Sequence, residues 1–285
     1  RMKQSWKLVL LFVQFSAAAF LITLTASVSK QYNNMIVDHP GYDYKNVVYI
    51  ELSGVDSTRK QTLNARLKEL PEVERTSFSS TIPIFYMSGN YIRVEGDQRD
   101  LFNIADLYYV DDNFLPLMNI PITAGKNFGN KDNAQSALVS ESFREKMSIM
   151  LEWEEVVGKD VIVTEHLHHG ISRIVGVFPD IRISSFGNQD TRPAIIHYSA
   201  YRSDILHYYQ KYLLVRLGNL NAENIESVNR IANNLLPERE TSFIPYEVSI
   251  ISSYERERLF KDTIMIGAII TLVISLIGLI GYIKN

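Results

Sequence analysis

Two stretches, Leu8 to Val28 and Thr263 to Ile283, carry no charge and are apolar over enough length to cross a bilayer, while the sequence between them has an ordinary water-soluble character. As helices rising about 1.5 Å per residue, each would reach roughly 31 Å, against a hydrocarbon core of about 30 Å. A helix buried in a globular core would normally carry a polar face; these carry only scattered Gln14, Ser16, Thr23, Thr25, Thr271 and Ser275. The first stretch is also too long for the apolar region of a cleaved signal peptide, and Trp6 stands where an interfacial anchor would. Arg1, Lys3 and Lys7 precede the first span and Lys284 follows the second. Positive charge at both ends predicts that both termini face the cytoplasm and that residues 29–262 lie outside.

The chain is 46% hydrophobic and 21% charged, with a formal net charge of −3. Its mean hydropathy is near zero even with two spans included, so the outer segment is distinctly polar. At this length that segment can bury one sizeable core or two small ones. No basic excess points to nucleic acid. The absence of cysteine excludes disulfides, thiolate metal sites and cysteine nucleophiles, and it is compatible with a bacterial periplasm. The chain opens on Arg1 and stops two residues after the second span, which leads us to expect a piece of a longer protein.

From the first span the chain runs unbroken to Val37, and His39, Pro40 and Gly41 then stop the helix, which predicts a stalk over 29–45. Val47 to Leu52 reads as a strand, Ser57 to Leu70 as a helix with Ser57 as its N-cap, and Val73 to Thr81 as a second strand. The same order returns near the end, with strand Tyr212 to Leu217, helix Ala222 to Leu236 and strand Phe243 to Val248. Even the wording recurs, since Leu70, Pro71, Glu72 is matched by Leu236, Pro237, Glu238. Two such units bracketing a domain predict an α+β fold: a ferredoxin-like, split βαβ lobe over 46–105 and 200–251 that carries an inserted mostly-β lobe over 106–199. Within the insertion, strands are expected at 106–110, 137–140, 161–165, 172–177 and 194–198, with short helices near 112–118 and 141–147. A second stalk over 252–262 leads without proline or glycine into the second span, 263–285. Its Glu255, Arg258 and Lys261 sit at helical spacing suited to exposed charge pairs and to transmitting displacement.

Small residues at helical spacing suggest packing faces in the spans: Gly267, Thr271, Ser275 and Gly278 in the second, Ala19, Thr23 and Ala26 in the first. Gln14, the most polar residue within a span, is expected to hydrogen-bond between helices. Candidate chemistry outside the spans is sparse. Glu165, His166, His168 and His169 form the one cluster with metal-ligand character, and they read best as a solvated hairpin. Gly125 and Lys126 lack the spacing and the following Ser or Thr of a phosphate-binding loop. Neither a catalytic residue, a cofactor site nor a metal site is therefore expected.

Several segments, in order, resemble a known family. Tyr109 to Phe128 (YVDDNFLPLMNIPITAGKNF), Ala137 to Met147 (ALVSESFREKM), Val156 to Val161 (VVGKDV), Ile174 to Ile181 (IVGVFPDI) and Arg192 to Ile196 (RPAII) look like signatures of the MacB-like periplasmic core domain. Leu10 to Ile22, Pro40 to Ile50 and Ser275 to Asn285 are similar to FtsX-like permeases of ABC transporters, in particular to the second module of the two-module form typical of Bacteroidota. The resemblance implies a permease subunit in the bacterial inner membrane, multi-pass, with its large domain in the periplasm. It implies mechanotransmission: a separate cytoplasmic ATPase binds and hydrolyses ATP, and the periplasmic domain changes shape in response. The implied partners are that ATPase, the remaining permease spans or a second module, membrane lipid and a periplasmic or outer-membrane protein. The two-span layout alone would also suit a receptor with an external sensor domain.

Overall fold

The computed structural model describes residues 2–37, 39–85, 89–129, 131–133, 135–163, 171–183, 192–198, 210–239 and 241–283. The chain divides into two units, one formed by Arg1–Asp38 with Ile251–Asn285 and the other by His39–Ile250. The cluster at Glu165, His166, His168 and His169 lies outside the described residues.

The terminal unit is built from two long helices, α1 (Met2–Val37) and α7 (Glu255–Ile283). Each runs without interruption from its apolar stretch into its polar extension, in keeping with the absence of internal proline. Both are long and apolar enough to cross a membrane.

The central unit mixes helices and strands, an α+β arrangement around a single sheet of two differently shaped parts. Its elements in chain order are β1 (Val47–Glu51), α2 (Ser57–Lys68), β2 (Val73–Ser79), β3 (Gly89–Arg93), β4 (Asn103–Val110), α3 (Phe114–Leu117), β5 (Ala124–Gly125), β6 (Ser136–Ser140), α4 (Glu141–Leu151), β7 (Asp160–Val163), β8 (Ile171–Phe178), β9 (Ala194–Tyr198), β10 (Tyr212–Leu217), α5 (Ala222–Leu235), β11 (Ile244–Pro245) and α6 (Tyr246–Ser253). The last of these runs three residues past the boundary of the unit.

The first part of the sheet is an open antiparallel layer in the order β11-β1-β10-β2. Val48 and Ile50 of β1, Leu213, Val215 and Leu217 of β10 and Phe78 of β2 form a core with Leu63 and Leu67 of α2 and Val228 and Ala232 of α5. Leu70 and Leu236, the recurring residues of the two Leu-Pro-Glu turns, both pack on this core. The opposite face is also covered, by an aromatic group in which Tyr42, Tyr44 and Tyr49 surround buried Tyr246 with ring centroids 6.0–6.1 Å away. A layer buried on both faces explains why β1 and β10 read as continuous apolar runs instead of alternating ones.

Arg216 of β10, nearly buried, fixes the entry of the chain into this layer. Its guanidinium donates to the carbonyls of Leu117 (2.6 Å), Asp43 (2.6 Å) and Lys45 (3.1 Å) and lies 3.3 Å from the Asp43 carboxylate. Asp43 in turn accepts from the Asn119 amide and donates its own N–H to Met118.

In the second part the strands pair in the sequence β4-β3-β7-β8-β6-β9, and β9 pairs back with β4. The pairings therefore form a closed ring, parallel at β6–β8 and β4–β9 and antiparallel elsewhere. Ile92, Ile104, Val139, Val161, Val163, Ile174, Val177 and Ile195 pack with Phe143 and Met147 of α4 in its core. The two parts meet at β2 and β4, through the pair Ser79 and Val110.

At β5 and β8 two glycines face each other. A Cβ on Gly125 would lie 2.4 Å from the Val175 carbonyl, and one on Gly176 would lie 2.4 Å from the Lys126 carbonyl. Gly125 also has φ +71°. Gly125 and Lys126 thus belong to a tight strand crossing, a role that needs glycine for space and for conformation.

Several local expectations need correction. The N-cap of α2 is Asp56, whose carboxylate accepts from the Arg59 N–H at 3.0 Å, because Ser57 already has helical geometry. The strand expected over 243–248 shrinks to Ile244–Pro245, since Pro245 cannot donate to a ladder, and Tyr246 begins a helix. The helix expected over 112–118 is one turn, Phe114–Leu117. The boundary drawn at 106 falls inside β4, and β3, which sequence reasoning missed, belongs to the closed ring.

Candidate functional site

No catalytic group, cofactor or metal ligand was expected, so the functional question concerns how the two terminal helices pair. On α1 the less exposed positions include Leu11, Gln14, Ala18, Leu21, Thr25, Val28 and Tyr32, flanked by Leu24 and Ser29; on α7 they include Lys261, Ile264, Ala268, Thr271, Ser275 and Gly278. Both series alternate steps of three and four, the 3.5-residue repeat of a coiled-coil seam. The partners run in opposite directions. Leu11 and Gln14 meet Gly278, and Tyr32 meets Lys261.

Small side chains let the helix axes approach closely. Ala18, Ala268 and Ser275 are buried, and the Ser275 hydroxyl bridges the pair by reaching the Gln14 carbonyl oxygen at 3.2 Å. The hydrogen bond across the pair thus uses the main chain of Gln14. Its side-chain Oε1 covers Gly278, where a Cβ would come within 2.9 Å of it.

The structure brings together Gln14, Thr271, Ser275 and Gly278. It does not bring Ala19, Thr23 or Gly267 to the same seam. Ala19 and Thr23 are exposed, with the Thr23 hydroxyl bonded to the carbonyl of Ala19 on its own helix, and a Cβ on Gly267 would touch nothing within 4 Å. Sequence spacing missed Ala18 and Ala268, the buried alanines of the seam.

Beyond the apolar stretches, Arg258 lies 3.8 Å from Glu255 and Lys261 lies 3.2 Å from Asp262. The Lys261 ammonium also sits 4.9 Å from the centroid of the Tyr32 ring, a contact between the helices. Exposed pairs of this kind contribute at most about 0.5 kcal/mol each.

In the central unit one titratable group stands out. The Asp111 carboxylate is enclosed at the junction of β2 and β4, where it accepts from the Ser77 hydroxyl (2.6 Å), the Phe78 N–H (2.8 Å) and the Asn113 N–H (3.1 Å). Burial pushes its pKa up to about 6, against the opposing effect of those hydrogen bonds, and the neighbouring Asp112 adds to the rise. Its partners are structural, and among the described residues nothing around it forms a nucleophile or relay. Among the described residues no group of three or more His, Cys, Asp or Glu is placed to hold a metal ion.

Comparison with known proteins agrees with the motifs noted above. The model of the MacB-like periplasmic core domain matches residues 15–233, and no curated protein matches the chain. Among solved structures, a domain provisionally described as part of a permease protein of Porphyromonas gingivalis is 16% identical, covering 73% of this chain and 93% of its own with a TM-score of 0.49. The extracellular domain of the noncanonic ABC-type transporter YknZ from Gram-positive bacteria is 13% identical, covering 70% of this chain and 100% of its own with a TM-score of 0.45. The family match spans most of the central unit and part of the first apolar helix, and the chain belongs to the MacB-like periplasmic core domain family.

Proposed function

We propose that this chain is part of the permease subunit of an ABC transporter of the MacB/FtsX type, set in a bacterial inner membrane with its central unit in the periplasm. A separate cytoplasmic ATPase would bind and hydrolyse ATP, and the chain would pass the resulting motion to its outer domain. The observation that carries this is the family match combined with the paired terminal helices, each a continuous rod through its apolar stretch and its polar extension. A continuous helix transmits a displacement along its axis that a flexible linker would absorb.

We also read the layer β11-β1-β10-β2, with α2 and α5 on one face, as a ferredoxin-like lobe, and the closed ring as the lobe inserted into it. The antiparallel order and the two separate cores support that division.

The test is ATP hydrolysis by the reconstituted complete transporter. If the helix pair couples the two sides, Gly278→Glu should lower permease-dependent stimulation of the ATPase by tenfold or more while the outer domain keeps its fold by circular dichroism. Unchanged stimulation in that variant, with assembly intact, would overturn the coupling role.

A further inference from the structure

We propose that the cleft between the polar extensions of α1 and α7 binds the head group of an ethanolamine phospholipid. A cavity of about 350 Å³ opens there, lined by Val28, Gln31 and Tyr32 of α1 and by Arg256, Glu257 and Phe260 of α7. It begins where the apolar run of α1 ends, the depth at which lipid head groups lie when that run spans a bilayer. Tyr32 and Phe260 in its wall are the aromatic residues typical of that boundary. Leu259 and Phe260, at 56% and 61% exposure, offer apolar surface for acyl chains beside it.

Charge selects among head groups. The Glu257 Oε2 is shut off from solvent and accepts no hydrogen bond among the described residues. A carboxylate oxygen in that state demands a donor, and a cationic one most of all. Lys261 is engaged with Asp262 and the Tyr32 ring. Arg256 lines the same cavity and is exposed. The cleft therefore presents one anionic and one cationic group, the complement of an ammonium and a phosphodiester joined by two carbons.

A primary ammonium can donate N–H bonds to the Glu257 carboxylate once a turn of its side chain brings the enclosed Oε2 to the cleft. The methylated ammonium of choline cannot, and a glycerol head group brings no cation and adds negative charge next to Glu257. This inference rests on the membrane placement of the two helices and does not depend on coupling to an ATPase.

The experiment is thermal unfolding of the complete detergent-purified protein with ethanolamine, choline or glycerol phospholipids of identical acyl chains. We expect a midpoint rise of several degrees with the ethanolamine lipid alone, lost in both Glu257→Gln and Arg256→Gln, whose midpoints without lipid match the parent. Should Glu257→Gln unfold early without lipid, Arg256→Gln decides. An equal rise with the glycerol lipid, persistence of the rise in the variants, or no rise at all would overturn the proposal. The last result is also what a cleft filled by another segment of the protein would give.

Discussion

The hydroxyl of Ser275 lies 3.2 Å from the main-chain oxygen of Gln14 on the opposite helix and 2.8 Å from that of Thr271 on its own. One small donor serves two carbonyls because no larger side chain separates the helices there. Ser275→Ala should therefore cost little, about 0.6 kcal/mol, since such bonds in membrane helices average that much. Ser275→Leu should force the pair apart. Because the chain has no native cysteine, Gln14→Cys with Gly278→Cys can be probed with a short thiol cross-linker. We expect efficient linking in the parent background, loss of linking with Ser275→Leu, and none for Ala19→Cys with Gly267→Cys.

Arg216→Met should destabilise the central unit by about 3 kcal/mol. The change strips three main-chain carbonyls and the Asp43 carboxylate of their donor in a mostly buried setting. Arg216→Lys should recover less than half of that, because an ammonium cannot span the fork. Thermal unfolding of the full chain in detergent, followed by intrinsic fluorescence, would show it.

Asp111 makes stability depend on pH. Its carboxyl has a raised pKa of about 6 in the folded state, against an ordinary 3.8 when unfolded. The folded protein holds this proton more tightly, so the contribution is fully present below about 3.8 and is lost as pH rises through about 6. The difference corresponds to about 3 kcal/mol. Asp111→Asn places a donor where Phe78 N–H needs an acceptor, so its level of stability will differ from the parent. The informative quantity is the slope. The parent should lose stability relative to Asp111→Asn between pH 4 and pH 7, and parallel pH profiles would refute the assignment.

Gly176→Ala should cost about 2 kcal/mol or more, since its Cβ would meet the Lys126 carbonyl at 2.4 Å and the adjoining strand has no slack. Gly125→Ala should be at least as costly because its φ is positive as well. Proteolysis of the purified variants, compared with Gly129→Ala as a control where φ is not positive and a Cβ would come no closer than 3.8 Å to its nearest neighbour, would rank them.

Ser140→Ala should cost about 1–3 kcal/mol. The Ser140 hydroxyl caps α4 through the Phe143 N–H and also accepts from the buried Ala194 N–H at 3.0 Å, which alanine would leave unpaired. Loss of protection of the Ala194 amide in hydrogen exchange would locate the effect.

Much of this architecture was legible in the residues because it rests on local signals. Unbroken apolar length marks α1 and α7, and apolar runs followed by glycine mark β1 and β10. The seam was legible only in part. Ala19, Thr23 and Ala26 have the same spacing as Gln14, Ala18 and Leu21, and in a helix apolar all round spacing gives the period of a face but not its phase. The partner helix sets the phase. The short β3 and the Asp56 cap were missed for a similar reason. Gly89–Arg93 has weak alternation of its own and becomes a strand by pairing with β4 and β7, while Asp56 and Ser57 are equally good caps until the backbone chooses.

The strand order also dictates when this protein can fold as it is made. β10 sits between β1 and β2, so a layer begun at residue 47 stays open until residue 217 has been added. The ring, likewise, cannot close before β9 arrives at residue 198 to join β4. Until then the sheet of the growing chain stays incomplete, with apolar strand faces uncovered. Such long-range pairing makes for slow folding and exposure to aggregation. The newly made central unit thus depends on whatever shields it until β10 appears.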